Sequence, residues 1–250
     1  MRDSRRRVLI LGGTGESRRL ADRAVKALPG DVEIISSYAG RTRRPADPPG
    51  TIREGGFGGA DGLAAYIRDN AVDMLVDATH PFAAVISGHA AAAAAAIGCP
   101  RLVLRRPDWV LPGAANVTHV ADMAEAAEAA GRATRVFLTT GTQDLAAFSG
   151  LARTWFLIRL ITAPAAPLPL AEYSVTTGRP PFALASETAL LHEHGIDGVV
   201  SKHSGGALPA KITAASALGI PLILVRQPAP PPGDQTSTID EALTWIMERL

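Results

Sequence analysis

Arg7-Val8-Leu9-Ile10-Leu11-Gly12-Gly13-Thr14-Gly15-Glu16-Ser17 decides the fold. An apolar run of strand length stops at closely spaced glycines. Arg18 to Leu28 then carries apolar residues at Leu20, Ala21, Ala24, Val25 and Leu28, the spacing of one helix face. This is a strand, a tight turn and a helix. Glycines let the backbone approach a ligand, and the first-turn N–H groups with the positive end of the helix dipole suit a phosphate. Gly12, Gly13, Thr14, Gly15 and Glu16 are therefore candidates to hold the pyrophosphate of a dinucleotide. The usual G-x-G-x-x-G is incomplete, with Gly13 and Gly15 in its first two places and Arg18 in the third.

Working outward, Val32 to Ser37 predicts a second strand, followed by Tyr38-Ala39-Gly40-Arg41-Thr42-Arg43-Arg44. An NAD-binding unit places a carboxylate here for the ribose 2′-hydroxyl. This chain offers three arginines instead, which suit the extra phosphate of NADP, so NADPH is expected, held by Arg41 with Arg43 or Arg44. Ile52 to Gly59 sets four glycines around one aromatic, with Gly58 permitting close approach and Phe57 a wall for a flat ligand. A helix over 61–69 and a buried strand over Val72 to Val76 follow, ending in Asp77-Ala78-Thr79-His80-Pro81-Phe82. Polar residues at the carboxyl end of a parallel strand lie where α/β sheets bind ligands, which makes Thr79 and His80 candidates for the reacting end of the cofactor. A helix over 83–97 and a strand over 101–104 complete this half.

The second half repeats the first. Arg135 to Thr142 echoes Arg7 to Thr14, Trp155 to Ile161 takes the place of the second strand, and Asp197 to Gly206 echoes Asp73 to Phe82. Gly219 to Pro228 copies Gly98 to Pro107. Order and spacing agree, predicting two parallel-sheet α/β domains related by internal duplication, 1–108 and 109–250. Pro228 to Pro232 reads as a linker to a helix over 239–250, capped by Ser237 or Thr238. The second turn lacks the glycine pair and is the poorer dinucleotide cradle. Thr140, Gly141, Lys202, His203 and Ser204 supply hydroxyls, N–H groups and cations for an anionic substrate in a cleft between the carboxyl edges.

Composition narrows the classes. In 250 residues that are 47% hydrophobic, a full core can be buried, and a net charge of +1 gives no reason to expect nucleic acid as partner. The lone Cys99 rules out an internal disulfide and a thiolate metal site, so no metal is expected and a reducing cytoplasm fits. Met1 to Arg7 is charged and leads into a strand rather than a signal core, and Ala90 to Cys99 is about half a bilayer span, so no membrane is expected.

Taken together, Leu11 to Glu16, Ala39 to Thr42, Gly55 to Gly59, Asp77 to Ala83, Thr139 to Gly141 and Ser201 to Gly206 resemble the precorrin-6A reductases of cobalamin biosynthesis over nearly the whole chain. His203 departs from the Asn common in that family. The resemblance implies hydride transfer from NADPH to C19 of a polycarboxylated tetrapyrrole with protonation at C18. It also implies two Rossmann-like domains that exchange strands, for which the near-identical segments Arg101 to Leu104 and Leu222 to Val225 are the candidates. His80, Lys202 or a water is the expected proton source. The sequence leaves the oligomeric state open, a monomer being one of the states it allows. Two alternatives stay open: another NADP-dependent reductase, or a non-catalytic nucleotide-binding protein. A short-chain dehydrogenase needs Tyr with Lys four positions on, whereas Tyr38, Tyr66 and Tyr173 are followed there by Thr42, Asn70 and Thr177.

Overall fold

A computed structural model describes residues 5–38, 50–113 and 115–250. The chain forms two compact units, Met1–Pro107 with Pro228–Leu250, and Asp108–Gln227.

The first unit runs β1 (Arg6–Leu11), α1 (Gly15–Ala27), β2 (Val32–Tyr38), β3 (Thr51–Glu54), α2 (Ala60–Asp69), β4 (Met74–Asp77), α3 (Ala84–Ile97) and β5 (Arg101–Leu104). Each strand of a parallel sheet covered on both faces must be apolar on both, which is why β1 reads as an unbroken apolar run. Val8 and Ile10 join Leu20, Ala21 and Ala24 of α1, while Leu9 and Leu11 join Leu63 and Ile67 of α2 and Ala90, Ala93 and Ala94 of α3. Truncating a residue such as Leu9 to Ala would cost about 2–5 kcal/mol, the range for a fully buried leucine. The second half of α3 is an alanine run, Ala90 to Ala96, which lets its backbone pack closely on α2, and Gly98 ends the helix in the left-handed conformation at φ 67.

The second unit runs β6 (Val117–Val120), α4 (Met123–Ala130), β7 (Arg135–Leu138), a 3-10 helix over Thr142–Phe148, β8 (Trp155–Leu160), β9 (Glu172–Thr177), α5 (Leu184–Glu193), β10 (Gly198–Lys202), α6 (Ala210–Ala217) and β11 (Leu222–Val225). Phe137, Leu157, Val199, Leu222 and Leu224 from its strands meet Leu191 of α5 and Ile212 and Ala215 of α6 in one cluster. The tail then adds β12 (Asp234–Thr236) and α7 (Ile239–Met247), the latter capped by Thr238, whose hydroxyl accepts the Glu241 N–H.

Both sheets are parallel throughout. Their orders are β12-β5-β4-β1-β2-β3 and β6-β11-β10-β7-β8-β9, the doubly wound order in which the winding reverses beside the first strand. Ligands of such sheets bind at the carboxyl ends of the strands flanking that reversal. Here these are β1 with β4, and β7 with β10.

Two expectations about chain organisation are corrected. The sequence assigns 228–250 to the second domain, but β12 pairs with β5 and Trp245 and Ile246 of α7 are buried in the first unit's core. The tail goes there because β5 exposes a free ladder edge, and the apolar face of α7 meets α1. The strands Arg101–Leu104 and Leu222–Val225 do not trade places, since β5 pairs with β4 and β11 with β10. What is exchanged is the strand after each: β6 follows β5 in the chain yet pairs with β11, and β12 follows β11 yet pairs with β5.

Candidate functional site

In the first unit, the backbone between β1 and α1 is shaped by three residues. The Gly12 N–H is bonded to the Ser37 carbonyl, and a Cβ on Gly12 would lie 3.2 Å from Ser17 Oγ and 3.3 Å from Tyr38. Gly12 and the small, buried Ser17 thus supply the close helix-to-strand approach that the missing third glycine supplies elsewhere. Gly13 takes φ +110, and a Cβ there would meet nothing within 4 Å, so its outer face is open for a ligand. Thr14 caps α1: its hydroxyl accepts the Ser17 N–H at 3.0 Å and donates to the Ala78 carbonyl at 2.9 Å, while its own N–H donates to Ser17 Oγ at 3.1 Å. With its hydroxyl and its N–H both engaged, Thr14 shapes the turn. The N–H groups of Gly15 and Glu16 open the helix, where no intrahelical acceptor exists, and are the groups that suit a phosphate.

The Glu16 side chain is engaged in two ion pairs. Its carboxylate accepts from Arg19 at 2.8 Å and pairs with Arg106 at 2.5 Å. It therefore anchors a guanidinium beside the start of α1. Arg41, Arg43 and Arg44 lie outside the described residues.

At the end of β4, Asp77 is 2% exposed. Its Oδ1 accepts the Thr79 N–H at 3.2 Å and the Thr79 hydroxyl at 2.7 Å, and its buried Oδ2 accepts no hydrogen bond among the described residues. The Thr79 hydroxyl also lies 3.3 Å from Ser87 Oγ. His80 is exposed, and its Nδ1 accepts the Phe82 N–H at 3.2 Å, which leaves the proton of the neutral ring on Nε2. Asp77, Thr79, His80, Ser87 and Arg105 line a pocket closed on one side by Pro228 to Pro231. An unsatisfied buried acceptor, hydroxyls and a neutral imidazole suit an uncharged polar ligand group that can donate hydrogen bonds.

One face of the Phe57 ring is covered. The Arg53 guanidinium carbon lies 3.6 Å from its ring centroid, with Tyr66 edge-on at 5.3 Å, and Arg53 also donates to the Gly55 and Gly56 carbonyls. The glycine loop is thereby held from within, and Gly58, at φ +79, makes its turn.

The second unit reproduces this layout with different chemistry. Gly141, at φ +89, stands where Gly13 stands, and the buried Thr140 hydroxyl finds no partner among the described residues. Lys202, at the end of β10, pairs with Asp144 at 2.6 Å. Asp144 occupies the place of Glu16 in the repeat, so in each unit a carboxylate just past the turn is held by a cation from another strand's carboxyl end. Ser204 is half-buried on the same edge, its N–H bonded to the Lys202 carbonyl.

His203 turns inward. Its Nε2 accepts the Trp109 N–H at 3.3 Å, its Nδ1 lies 3.6 Å from Asp108, and its ring meets Trp109 edge-on at 4.7 Å with His119 at 5.8 Å. Burial holds its pKa below the usual histidine value, against the Asp108 carboxylate, which raises it. It anchors the start of the second unit through Trp109 and Asp108.

Residues the motif reading passed over are Asp77, Arg106, Asp144, Lys211, Arg159 and Glu187. Aligning the two repeats would have found Asp144 opposite Glu16. Nothing local marks Lys211, whose ammonium reaches Thr139 across the fold at 2.6 Å.

No helix among the described residues is long and apolar enough to cross a membrane, and no group of three or more metal-ligating side chains is placed there to hold a metal. The family model for precorrin-6x reductase CbiJ/CobK matches residues 7–247. The chain is 50% identical over 245 residues to the precorrin-6A reductase of Rhodococcus erythropolis, covering 96% of this chain and 97% of that one. It is 41% identical over 245 residues to the precorrin-6A reductase of Rhodobacter capsulatus, covering 97% and 96%. A solved structure described as CobK precorrin-6A reductase superposes with a TM-score of 0.90 at 39% identity, covering 98% of this chain and 97% of that one. Two doubly wound parallel sheets, the first with a glycine turn at the carboxyl end of its opening strand, accord with a full-length sequence match: the chain belongs to the precorrin-6x reductase family.

Proposed function

We propose that the protein reduces precorrin-6A to precorrin-6B with NADPH, the first unit holding the dinucleotide and the second the carboxylates of the tetrapyrrole. One observation carries the assignment of the cofactor to the first unit: Gly13 is open at φ +110, while Thr14 is fully used in capping α1 and tying it to Ala78. That leaves the N–H groups of Gly15 and Glu16 for the pyrophosphate. NADPH supplies the hydride when bound; the protein's part is to position and to order. Thr79, His80 and the buried Asp77 acceptor line a pocket at the neighbouring strand end that suits the carboxamide or ribose hydroxyls of the nicotinamide half.

In the second unit, Thr140, Gly141, Lys202 and Ser204 collect on one edge that offers a cation and hydroxyls to carboxylates. Lys202 is shared with Asp144, which keeps its side chain oriented before a substrate carboxylate arrives. The proton for the carbon beside the hydride acceptor can come from Lys202, from a bound water, or from His80 in its imidazolium form, which requires Nδ1 to release the Phe82 N–H and take up a proton.

The reaction is tested by adding precorrin-6A and following its visible bands, which should change only when NADPH is present. A nucleotide-binding protein without activity would leave them unchanged. Preference for the 2′-phosphate is tested by Arg41→Ala, which should raise the KM for NADPH far more than that for NADH; equal effects would refute that role.

A further inference from the structure

Lys211, in the first turn of α6, sends its ammonium under the carboxyl end of β7. Nζ donates to Thr139 Oγ1 at 2.6 Å, and that hydroxyl donates in turn to the Val200 carbonyl in the middle of β10. The Thr139 N–H is bonded to the same carbonyl at 3.1 Å. One hydroxyl thereby joins α6, β7 and β10 immediately before the Thr140-Gly141 turn.

The same ammonium is part of a sunken charge cluster. Arg159 of β8 and Glu187 of α5 form a two-pronged pair at 2.8 Å and 2.8 Å, with side chains 10% and 2% exposed, and Arg159 lies over the rings of Phe137 and Phe182. Arg159 and Glu187 are the charged groups that act on Lys211, and they neutralise one another. Lys211 is therefore left as a positive charge in excess beneath the turn. The Lys211 side chain keeps part of its surface in solvent, but its ammonium end is packed among other atoms. That packing, with Arg159 adding to it and Glu187 opposing it, brings its pKa down to about 8.

Next to Thr139 in the chain stands Thr140, whose buried hydroxyl has no partner among the described residues. A buried hydroxyl is normally hydrogen-bonded, so this one is a vacant donor to an incoming oxygen. We propose that Lys211 is a positioning residue for the reaction: it locks Thr139 and supplies the positive charge that makes the Thr140-Gly141 turn a seat for one substrate carboxylate. Lys211 acts through Thr139 and through its field, which a partly desolvated site transmits better than water would. The proposal rests on the reading of the second unit as the substrate side.

The test is steady-state kinetics of full-length Lys211→Met with precorrin-6A and NADPH. The KM for precorrin-6A should rise about tenfold, as expected for the loss of one partly desolvated charge interaction. The kcat should stay within about twofold and NADPH binding should be unchanged. In the parent protein the same KM should climb between pH 7.5 and 9 as Lys211 loses its proton; in Lys211→Met it should be flat. Should Lys211→Met fail to fold, Thr139→Val removes the hydroxyl that Lys211 holds and should raise the same KM while keeping the pH dependence. A folded Lys211→Met with unchanged KM, or a defect confined to NADPH, overturns the proposal. Lys202→Ala separates the two levels. If it raises the precorrin-6A KM while Lys211→Met does not, only the role of Lys211 falls; if neither does, the second unit is not the substrate side.

Discussion

The Thr14 hydroxyl donates to the Ala78 carbonyl at 2.9 Å while accepting the Ser17 N–H at 3.0 Å, so one side chain both caps α1 and ties it to the end of β4. The two loops flanking the reversal of the sheet are thus held in fixed register before any cofactor binds. Thr14→Val removes both bonds and should lower stability by about 1–2 kcal/mol, the usual cost of losing an N-cap. Urea unfolding of Thr14→Val and Thr14→Ser checks this: the serine variant should recover most of the loss, and equal losses would deny the hydroxyl its part.

Gly13→Ala separates ligand approach from packing. A Cβ at Gly13 meets no atom of the protein within 4 Å, so the fold is charged only the strain of φ +110, about 1 kcal/mol. The Kd for NADPH, read by fluorescence titration, should rise at least about tenfold because the methyl group would occupy the space of the phosphate.

Glu16→Gln should strengthen rather than weaken cofactor binding. The carboxylate engages Arg19 and Arg106 and adds negative charge beside the phosphate site. Removing it should lower the NADPH Kd about two- to fivefold at low salt, with the difference shrinking as salt screens the site. A large loss of affinity would instead make Glu16 a direct contact.

His203 makes acid the weak side of the second unit. Its folded pKa is lowered by burial, so as pH falls below the unfolded value near 6.5 the unfolded chain takes up a proton first, and the folded state loses stability. As pH rises through the same window stability returns. Lys211, also lowered, works at the other end: between its folded value of about 8 and its ordinary value the unfolded chain binds more protons, so its contribution to stability rises with pH. Urea unfolding across pH 5 to 7 should show a positive slope that disappears in His203→Gln, and across pH 8 to 10 a positive slope that disappears in Lys211→Met.

Much of the fold was legible because a doubly covered parallel strand must be apolar along its length, and Val8 to Leu11, Leu75 to Val76 and Leu222 to Val225 are. The exchanged strand β12 was not, because Asp234-Gln235-Thr236 carries no apolar pattern and its place is set by the free edge of β5. At the site, glycine spacing marked the turn, but the hydrogen bonds by which Thr14 caps α1 and ties it to Ala78 are visible only in the structure. The face of Phe57 is taken by Arg53, four residues before it in the chain. His203 and Lys202 are neighbours in sequence, yet alternation along the strand end sends one into the core and the other to Asp144. A histidine motif alone does not reveal which way the ring turns.

The most direct measurement is a crystal structure with NADP+ bound. The account predicts the pyrophosphate against Gly13 and the N–H groups of Gly15 and Glu16, at the carboxyl end of β1. A nucleotide lodged instead at Thr140 and Gly141 of the second unit, with the Gly13 turn empty, would contradict it.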